Sequence, residues 1–256
     1  LRERRHVGEH RHPLAAGHAQ NLELIVAHEG HRSADRRARQ VDVAADHGVD
    51  DLAAAPIRHM GRFDALQAAE IARQLPQIPK ENILVEPAGR NTAPAITLAA
   101  LQASENGQDP ILVVTPADQT VQNDAAFTTA LQQSIRAAAS GGVVILGITP
   151  DKPETGYGYI EMGEVIDGRL SKVKRFVEKP DLATAEKFVA SGRYRWNAGM
   201  FIWSFVTLTQ GLEKHQPEMA AACQRWFKDA ANPGKLKKVL AKEYPEVKKI
   251  SIDYAL

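Results

Sequence analysis

A polar, glycine-containing loop between two apolar segments is the stretch of this sequence best suited to bind a phosphate compound. The loop, residues 86–95 (EPAGRNTAPA), follows the apolar residues 83–85 and precedes the largely apolar residues 96–101. These flanks predict a strand and then a helix, so the loop would lie at the carboxyl end of a strand, where open α/β sheets bind ligands. The unpaired N–H groups of the helix start favour anions. The alternative is a capped helix in which Asn91 and Thr92 serve only as caps.

A carboxylate follows the next apolar run. Residues 111–114 are four apolar residues of β type, and Asp118 stands shortly after them in the sequence PADQ. Such a run predicts a strand buried on both faces of a parallel sheet. A carboxylate just beyond that strand could hold Mg²⁺ against the phosphates of a nucleotide. The alternative, equally open on this pattern, is that Asp118 caps the following turn.

Three later motifs carry groups suited to a sugar phosphate. In ETGYGYI (residues 154–160), the glycines allow close approach of a ligand and the tyrosines offer hydroxyls and rings. In FVEKP, Glu178 offers a carboxylate to sugar hydroxyls and Lys179 an ammonium to a phosphate. In WNAGMF, Asn197 could bind a sugar hydroxyl. The alternatives are a glycine-kinked edge strand for the first motif and a surface ion pair for the second.

The elements that must position these groups alternate between helix and strand. From residue 71 to residue 148 the periodicity predicts helix, strand, helix, strand, helix, strand, which is the βαβ order of a doubly wound sheet. Within this stretch, Asn123-Asp124 predicts the start of a long helix that runs through Ala139. Beyond it, an Asp167-Gly168 turn predicts a hairpin, and residues 181–191 predict a helix capped by Gly192. Residues 22–27 could add a short strand. We therefore predict an α/β, Rossmann-like doubly wound mixed sheet.

Composition narrows the class of protein. The chain has 256 residues, 44% of them hydrophobic, and a formal net charge of +1. That charge gives no overall field that would attract nucleic acid or a membrane surface. The sequence has one cysteine and no run of 18 apolar residues, so we expect neither a disulfide framework nor a membrane span. A reducing, cytoplasmic location is expected. The oligomeric state stays open, a homo-oligomer included.

Residues 1–70 differ in composition from the rest of the chain. They contain eight of the nine histidines and ten arginines but no lysine, tyrosine or tryptophan. Three explanations are open: a metal-binding or anion-binding extension, a disordered tail, or a segment read outside its natural frame. We favour the last because a GC-rich gene read out of frame yields this residue mixture. We therefore divide the chain into an atypical segment, 1–70, and a second domain, 71–256.

The order of the motifs resembles that of the sugar-nucleotide pyrophosphorylases, and among them the mannose-1-phosphate guanylyltransferases. The resemblance covers residues 71–256 and includes SIDYA near the end, which implies that residues 71–256 are a partial nucleotidyltransferase domain. It implies that GTP and mannose 1-phosphate give GDP-mannose and pyrophosphate with Mg²⁺. It also implies roles for single residues. Asp118 and Lys179 would be catalytic, Asp118 as metal ligand and Lys179 on the sugar's phosphate. The nucleotide-binding residues would be Glu86, Gly89, Arg90, Asn91 and Thr92, and the sugar-binding residues Gly156, Tyr157, Glu178 and Asn197.

Two motifs of that family are not found in this sequence. One is a loop close to GGxGTRLWPLSR, which cradles the triphosphate, and the other is a WxDVGSW segment with a second metal ligand. We therefore expect a fragment with impaired activity. Two alternatives remain: a transferase for another sugar 1-phosphate or nucleotide, and a non-catalytic relative that binds sugar nucleotides.

Overall fold

The computed structural model describes residues 22–27, 65–76, 78–79, 82–104, 109–116, 119–229 and 232–256. Over those residues the chain forms strands, α-helices and a short 3-10 helix at Tyr244–Glu246. The strands are β1 (Leu22–Ala27), β2 (Ile111–Val114), β3 (Val143–Ile148), β4 (Tyr159–Asp167), β5 (Leu170–Val177) and β6 (Tyr194–Ser204). The helices are α1 (Ala65–Gln74), α2 (Thr92–Ala103), α3 (Asp124–Ala139), α4 (Leu182–Ser191), α5 (Phe205–His215), α6 (Pro217–Asp229), α7 (Pro233–Glu243) and α8 (Ile252–Ala255).

The chain divides into two compact units. The first contains β1 and Val113–Ile202, and the second contains the described residues of Gly30–Leu112 together with Trp203–Leu256. The first unit therefore holds most of the sheet with α3 and α4, whereas the second is built from α1, α2 and α5 to α8. The loop at 86–95 belongs to the second unit, and the three sugar-phosphate motifs belong to the first.

The six strands form one mixed sheet in the order β2-β6-β3-β1-β5-β4, and β4 also pairs with β6. β1 runs parallel to β5 and antiparallel to β3. β3 and β6 pair antiparallel, and so do β4 with β5 and β4 with β6. The predicted α/β class with a mixed sheet is confirmed, and so is the short strand at Leu22–Ala27.

The predicted parallel setting of the apolar strands is wrong for β3. This strand pairs antiparallel with both β1 and β6, although its central residues Val144 to Leu146 are buried. A strand covered on both faces carries a continuous apolar run whichever way its neighbours run, so the run cannot reveal direction. β2 also departs from the prediction, because Val113 is 39% exposed. The predicted strand at 83–85 is reduced to a single β-bridge residue, Leu84.

Local signals in the sequence define the helices and the hairpin well. Asn123 begins α3 by accepting a hydrogen bond from the Ala126 amide at 3.0 Å, and Asp181 begins α4 in the same way. Gly192 ends α4 in the left-handed conformation with φ of 67°. The predicted hairpin is β4 and β5, with Gly168 at φ of 50° in its turn. These features agree with their sequence predictions because caps and turns depend on nearby residues.

An aromatic cluster forms the core of the first unit around β4, α4 and β6. Its buried members are Tyr159, Ala185, Phe188, Tyr194 and Trp196. The Phe188 and Tyr194 rings stack with centroids 3.8 Å apart. Beside them the buried Glu161 accepts a hydrogen bond from Lys174 at 2.9 Å, which lowers the pKa of its carboxyl. The cluster and this ion pair hold β4, β5 and β6 together.

The second unit has its own core where α2 meets α6 and the 3-10 helix. Its buried members are Leu98, Leu101, Ala222, Cys223, Trp226 and Tyr244, with side chains of α7 packed against them. The Trp226 and Tyr244 rings stack at 5.6 Å, and neither side chain is exposed. Among the helices that the structure describes, none is long and apolar enough to span a membrane.

Candidate functional site

The loop at residues 86–95 is held in a strained conformation at the start of α2. Asn91 has φ of 71° and ψ of −171°, and its side-chain oxygen accepts a hydrogen bond from the Thr92 amide at 2.9 Å. Pro94 is buried in the first turn of the helix, where its missing N–H leaves no gap in the hydrogen bonding. The predicted cap is therefore present, and the residue that supplies it is Asn91.

Glu86 is a buried carboxylate at the beginning of this loop. The residue is 7% exposed, and its Oε2 accepts a hydrogen bond from the hydroxyl of Tyr244 at 2.7 Å. Within the described part of the chain, its Oε1 is buried and has no hydrogen-bond partner, and the same holds for Nε of Arg90. Burying an unpaired polar atom costs free energy, so both atoms are suited to meet a ligand.

The same loop is fastened to the C-terminal segment. The Thr92 hydroxyl oxygen accepts a hydrogen bond from the Ile252 amide at 2.9 Å, and the Ala93 amide donates to the Ile250 carbonyl at 3.1 Å. The motif SIDYA therefore contacts the loop 86–95 directly. Gly89 lies between these anchored residues and is exposed.

In the first unit, the tightest packing among the predicted sugar-binding motifs is at Gly158. A Cβ atom at this position would lie 2.7 Å from Oε2 of Glu178 and 2.8 Å from the Phe176 ring, both too close for real contacts. At Gly156 the nearest side-chain atom would be 3.8 Å away, an ordinary contact. The close approach that the sequence suggested for this motif is thus a requirement at Gly158, which the sequence analysis did not single out.

Glu178 and Lys179 form an ion pair at the end of β5. The Lys179 Nζ lies 3.0 Å from Oε1 of Glu178, with the lysine side chain 63% exposed. Lys179 has φ of 42°, and its amide donates to the Tyr157 carbonyl at 3.2 Å. The Tyr157 ring meets Trp196 edge to face at 5.3 Å. Burial raises the pKa of the Tyr157 hydroxyl and nearby Glu154 adds to the effect, so the hydroxyl stays protonated.

Asn197 is fixed by the neighbouring turn and by the glycine-rich motif. Its backbone N–H donates a hydrogen bond to the Gly158 carbonyl at 2.8 Å, and its side-chain oxygen accepts one from the Gly199 backbone N–H at 2.9 Å. Gly199 has φ of 66°, which favours glycine there. Gln119 donates its side-chain amide to the Ala198 carbonyl at 2.6 Å, so the PADQ segment reaches this turn. Gln119 is a second residue that the sequence analysis passed over.

The predicted metal ligand lies outside the described residues, because Asp118 is not among them. In the part of the chain that is described, no group of three or more His, Cys, Asp or Glu side chains could hold a metal ion. The role of Asp118 as a metal ligand therefore stays a prediction.

The structure brings the predicted site residues together in two sets, one in each unit. Glu86 is hydrogen-bonded to Tyr244 and Thr92 to Ile252, and Asn91 accepts from the Thr92 amide within the loop. Gly89 and Arg90 lie between Glu86 and Asn91. In the other unit, hydrogen bonds and contacts join Tyr157, Glu178, Lys179 and Asn197, and Gly156 is adjacent. Tyr244, Gly158 and Gln119 join these sets without having been predicted. Sequence signals existed for Gly158, which stands within ETGYGYI, and for Gln119, which ends PADQ, but not for Tyr244.

The class of protein follows from this fold and from comparison with known families. The family described as Nucleotidyl transferase matches residues 42–240, and the chain belongs to this family. The match begins within the His- and Arg-rich segment.

Individual proteins give more specific similarities than the family match. The chain is 43% identical over 202 residues to the xanthan biosynthesis protein XanB of Xanthomonas campestris, covering 79% of this chain and 43% of that protein. It is 42% identical over 194 residues to the mannose-1-phosphate guanylyltransferase ManC of Salmonella typhimurium, covering 73% and 40%. A crystal structure from Thermus thermophilus, described as mannose-1-phosphate geranyltransferase, matches with TM-score 0.67 and 36% identity, covering 81% and 58%. The chain spans less than half the length of the first two relatives.

Proposed function

We propose that this protein transfers GMP from GTP to mannose 1-phosphate, giving GDP-mannose and pyrophosphate. The family assigns nucleotidyl transfer, and the similarity to a mannose-1-phosphate guanylyltransferase supports the choice of substrates. An oxygen of the sugar's phosphate attacks the α-phosphorus of GTP, and the bond to the β-phosphate oxygen breaks as pyrophosphate leaves. No covalent enzyme intermediate is needed, so the chain's residues bind, orient and neutralise charge.

The observation that carries this proposal is the position of two strained residues. Across the described chain, Asn91 and Lys179 are the non-glycine residues with positive φ, at 71° and 42°. Such conformations cost free energy and collect at functional sites. One lies in the motif predicted to bind the nucleotide and the other in the motif predicted to bind the sugar phosphate. The strain therefore supports function in both motifs.

In the nucleotide-binding set, the charges suggest which part of GTP each residue meets. The buried Glu86 carboxylate would repel phosphate but accepts N–H donors, so it suits the base. Gly89, Arg90, Asn91 and Thr92 lie at the start of α2. The Thr92 and Ala93 amides already donate to Asn91 and Ile250, so the group that suits phosphate oxygens is the Arg90 guanidinium, whose buried Nε has no partner among the described residues.

In the sugar-binding set, Lys179 would pair with the phosphate of mannose 1-phosphate. Glu178 would accept hydrogen bonds from sugar hydroxyls, with Asn197 beside it and with Gly156 and Tyr157 bordering the sugar. Asp118 would hold Mg²⁺, which when bound neutralises phosphate charge. The single cysteine and these substrates favour the cytoplasm.

Nucleotide-sugar binding tests the proposal. Calorimetric titration with GDP-mannose, UDP-glucose and dTDP-glucose should give binding to GDP-mannose at least about tenfold tighter than to the others, because the base contacts differ. Pyrophosphate release from GTP and mannose 1-phosphate, with Mg²⁺ and with a chelator, measures turnover. Equal or tighter binding of UDP-glucose or dTDP-glucose would instead support another sugar-1-phosphate transferase. Tight GDP-mannose binding without turnover is expected both from an impaired fragment of the transferase and from the non-catalytic alternative.

Removing the charge of Lys179 tests whether this residue binds the phosphate of mannose 1-phosphate. Lys179→Gln should weaken binding of mannose 1-phosphate about tenfold or more, because it removes a charge-assisted hydrogen bond to phosphate. Lys238→Gln is the matched control, since Lys238 is exposed on α7 outside both residue sets. Equal affinities of the two variants would argue against the role of Lys179.

A further inference from the structure

The buried carboxylate of Glu86 is held on one side only. Its Oε2 accepts the Tyr244 hydroxyl at 2.7 Å, a contact between residues 158 positions apart in the chain. Among the described residues, its buried Oε1 has no partner. A carboxylate that is 93% withdrawn from solvent and only half paired is costly unless a ligand supplies the missing donors.

The tyrosine that makes this contact cannot easily move. Tyr244 is fully buried and packs with Leu98 and Leu101 of α2, and its ring stacks on Trp226. Trp226 is itself oriented by a hydrogen bond from its indole N–H to Glu243 at 3.2 Å. Because its neighbours fix the ring, the phenol hydroxyl lies at a defined point and selects one orientation of the Glu86 carboxylate.

The lone pairs of the Glu86 carboxylate that have no partner indicate which hydrogen-bond donors a ligand must bring. A carboxylate offers acceptors only, and Oε2 keeps a lone pair beyond the one used by Tyr244. Guanine carries two adjacent donors on its Watson–Crick edge, N1–H and the N2 amino group. On the same edge adenine and cytosine place one amino donor beside a ring acceptor, and uracil has a single N–H between two carbonyls. A fixed carboxylate therefore fits guanine better than the other common bases.

We propose that Tyr244 is a positioning residue for base selection, because it holds Glu86 with the open carboxylate oxygens presented to guanine. This inference rests on the proposed function, which places the base of GTP at Glu86. Tyr244 does not touch the nucleotide, and its contribution reaches the ligand through Glu86. Loss of its hydroxyl leaves the carboxylate free to turn, so the preference for guanine declines while the fold persists.

The test compares GDP with inosine 5′-diphosphate, which lacks the N2 amino group but is otherwise the same. Calorimetry on the parent should give tighter binding of GDP. In Tyr244→Phe the GDP-to-inosine-diphosphate affinity ratio should fall about tenfold, because one orienting hydrogen bond to a charged group is lost. Tyr194→Phe is the matched control and should leave the ratio unchanged, since the buried Tyr194 hydroxyl also donates to a buried carboxylate, Glu161 at 3.1 Å, but lies outside both residue sets.

The outcomes separate this inference from the proposed function. If the parent prefers GDP but Tyr244→Phe has the same ratio, even with a lower melting temperature, Tyr244 is structural and the inference is wrong. If the parent binds no guanine nucleotide, the proposed function fails and the inference with it. If Tyr244→Phe does not fold, Glu86→Gln replaces it: an unchanged ratio in that variant would equally overturn the inference, and a tenfold fall supports it.

Discussion

At the scale of single residues, the absence of a side chain at Gly158 leaves room for the side chain of Glu178. The Glu178 carboxylate and the Phe176 ring fill the space beside Gly158. The Gly158 carbonyl also accepts a hydrogen bond from the backbone N–H of Asn197, so Gly158 contacts two predicted sugar-binding residues, Glu178 and Asn197. Any side chain at Gly158 would displace Glu178, whereas a side chain at Gly156 would begin with an ordinary contact of 3.8 Å.

We expect Gly158→Ala to weaken binding of GDP-mannose at least about tenfold, because Glu178 must move away from its position. A calorimetric titration measures this, with thermal unfolding as the test of folding. Gly156→Ala is the control and should bind nearly as the parent does, since its Cβ meets only an atom 3.8 Å away. Equal losses in both variants would show that the crowding at Gly158 is not what matters.

At the scale of secondary-structure elements, the start of α2 depends on a distant segment. The Thr92 hydroxyl accepts from the Ile252 amide, and the Ala93 amide donates to the Ile250 carbonyl. These bonds fix the loop before α2 and the segment before α8 as one structural piece. Thr92, predicted to bind the nucleotide, therefore has a structural role whether or not it also meets a ligand.

Thr92→Val should lower the free energy of unfolding by about 1 kcal/mol, because the Ile252 amide loses its acceptor while the side-chain shape is kept. Thr92→Ser retains the hydroxyl and should stay closer to the parent. Urea unfolding followed by tryptophan fluorescence provides the comparison. If valine and serine give the same stability, the hydrogen bond across 160 residues contributes little.

At the scale of the whole molecule, each unit carries its own core and the single cysteine lies in the second one. Cys223 packs with Trp226 and Tyr244, and burial raises the pKa of its thiol from an ordinary value of 9.0 to about 11. The folded protein therefore keeps the thiol neutral at a pH where the unfolded chain ionises it. The stability linked to this thiol is complete below pH 9 and is lost as the pH rises toward 11.

A pH series should reveal that loss. Between pH 8 and pH 10.5, the free energy of unfolding of the parent should fall by about 2 kcal/mol relative to Cys223→Ala. Urea unfolding of both proteins at each pH isolates the thiol, because lysines and tyrosines titrate alike in the two. A constant difference across the series would mean that the thiol is accessible to water.

How far the sequence predicts this molecule depends on the range of each interaction. The limits of α3 and α4 and the β4–β5 turn were predicted because Asn123, Asp181 and Gly168 act within a few residues of themselves. The antiparallel direction of β3 was not predicted, because an apolar run indicates burial and does not indicate the direction of the neighbouring strand. The order of motifs predicted the family, which the match to residues 42–240 confirms.

By itself the sequence determined the family, the α/β class and the motifs that hold Glu86, Asn91, Glu178 and Lys179, because short-range patterns and motif order need no knowledge of the chain path. Only the tertiary structure revealed that Tyr244 holds Glu86, that the Glu178 side chain needs a glycine at 158, and that Gln119 reaches the Ala198 carbonyl. These contacts join residues distant in the sequence. Their partners are chosen by packing, and no local pattern of residue types records that choice.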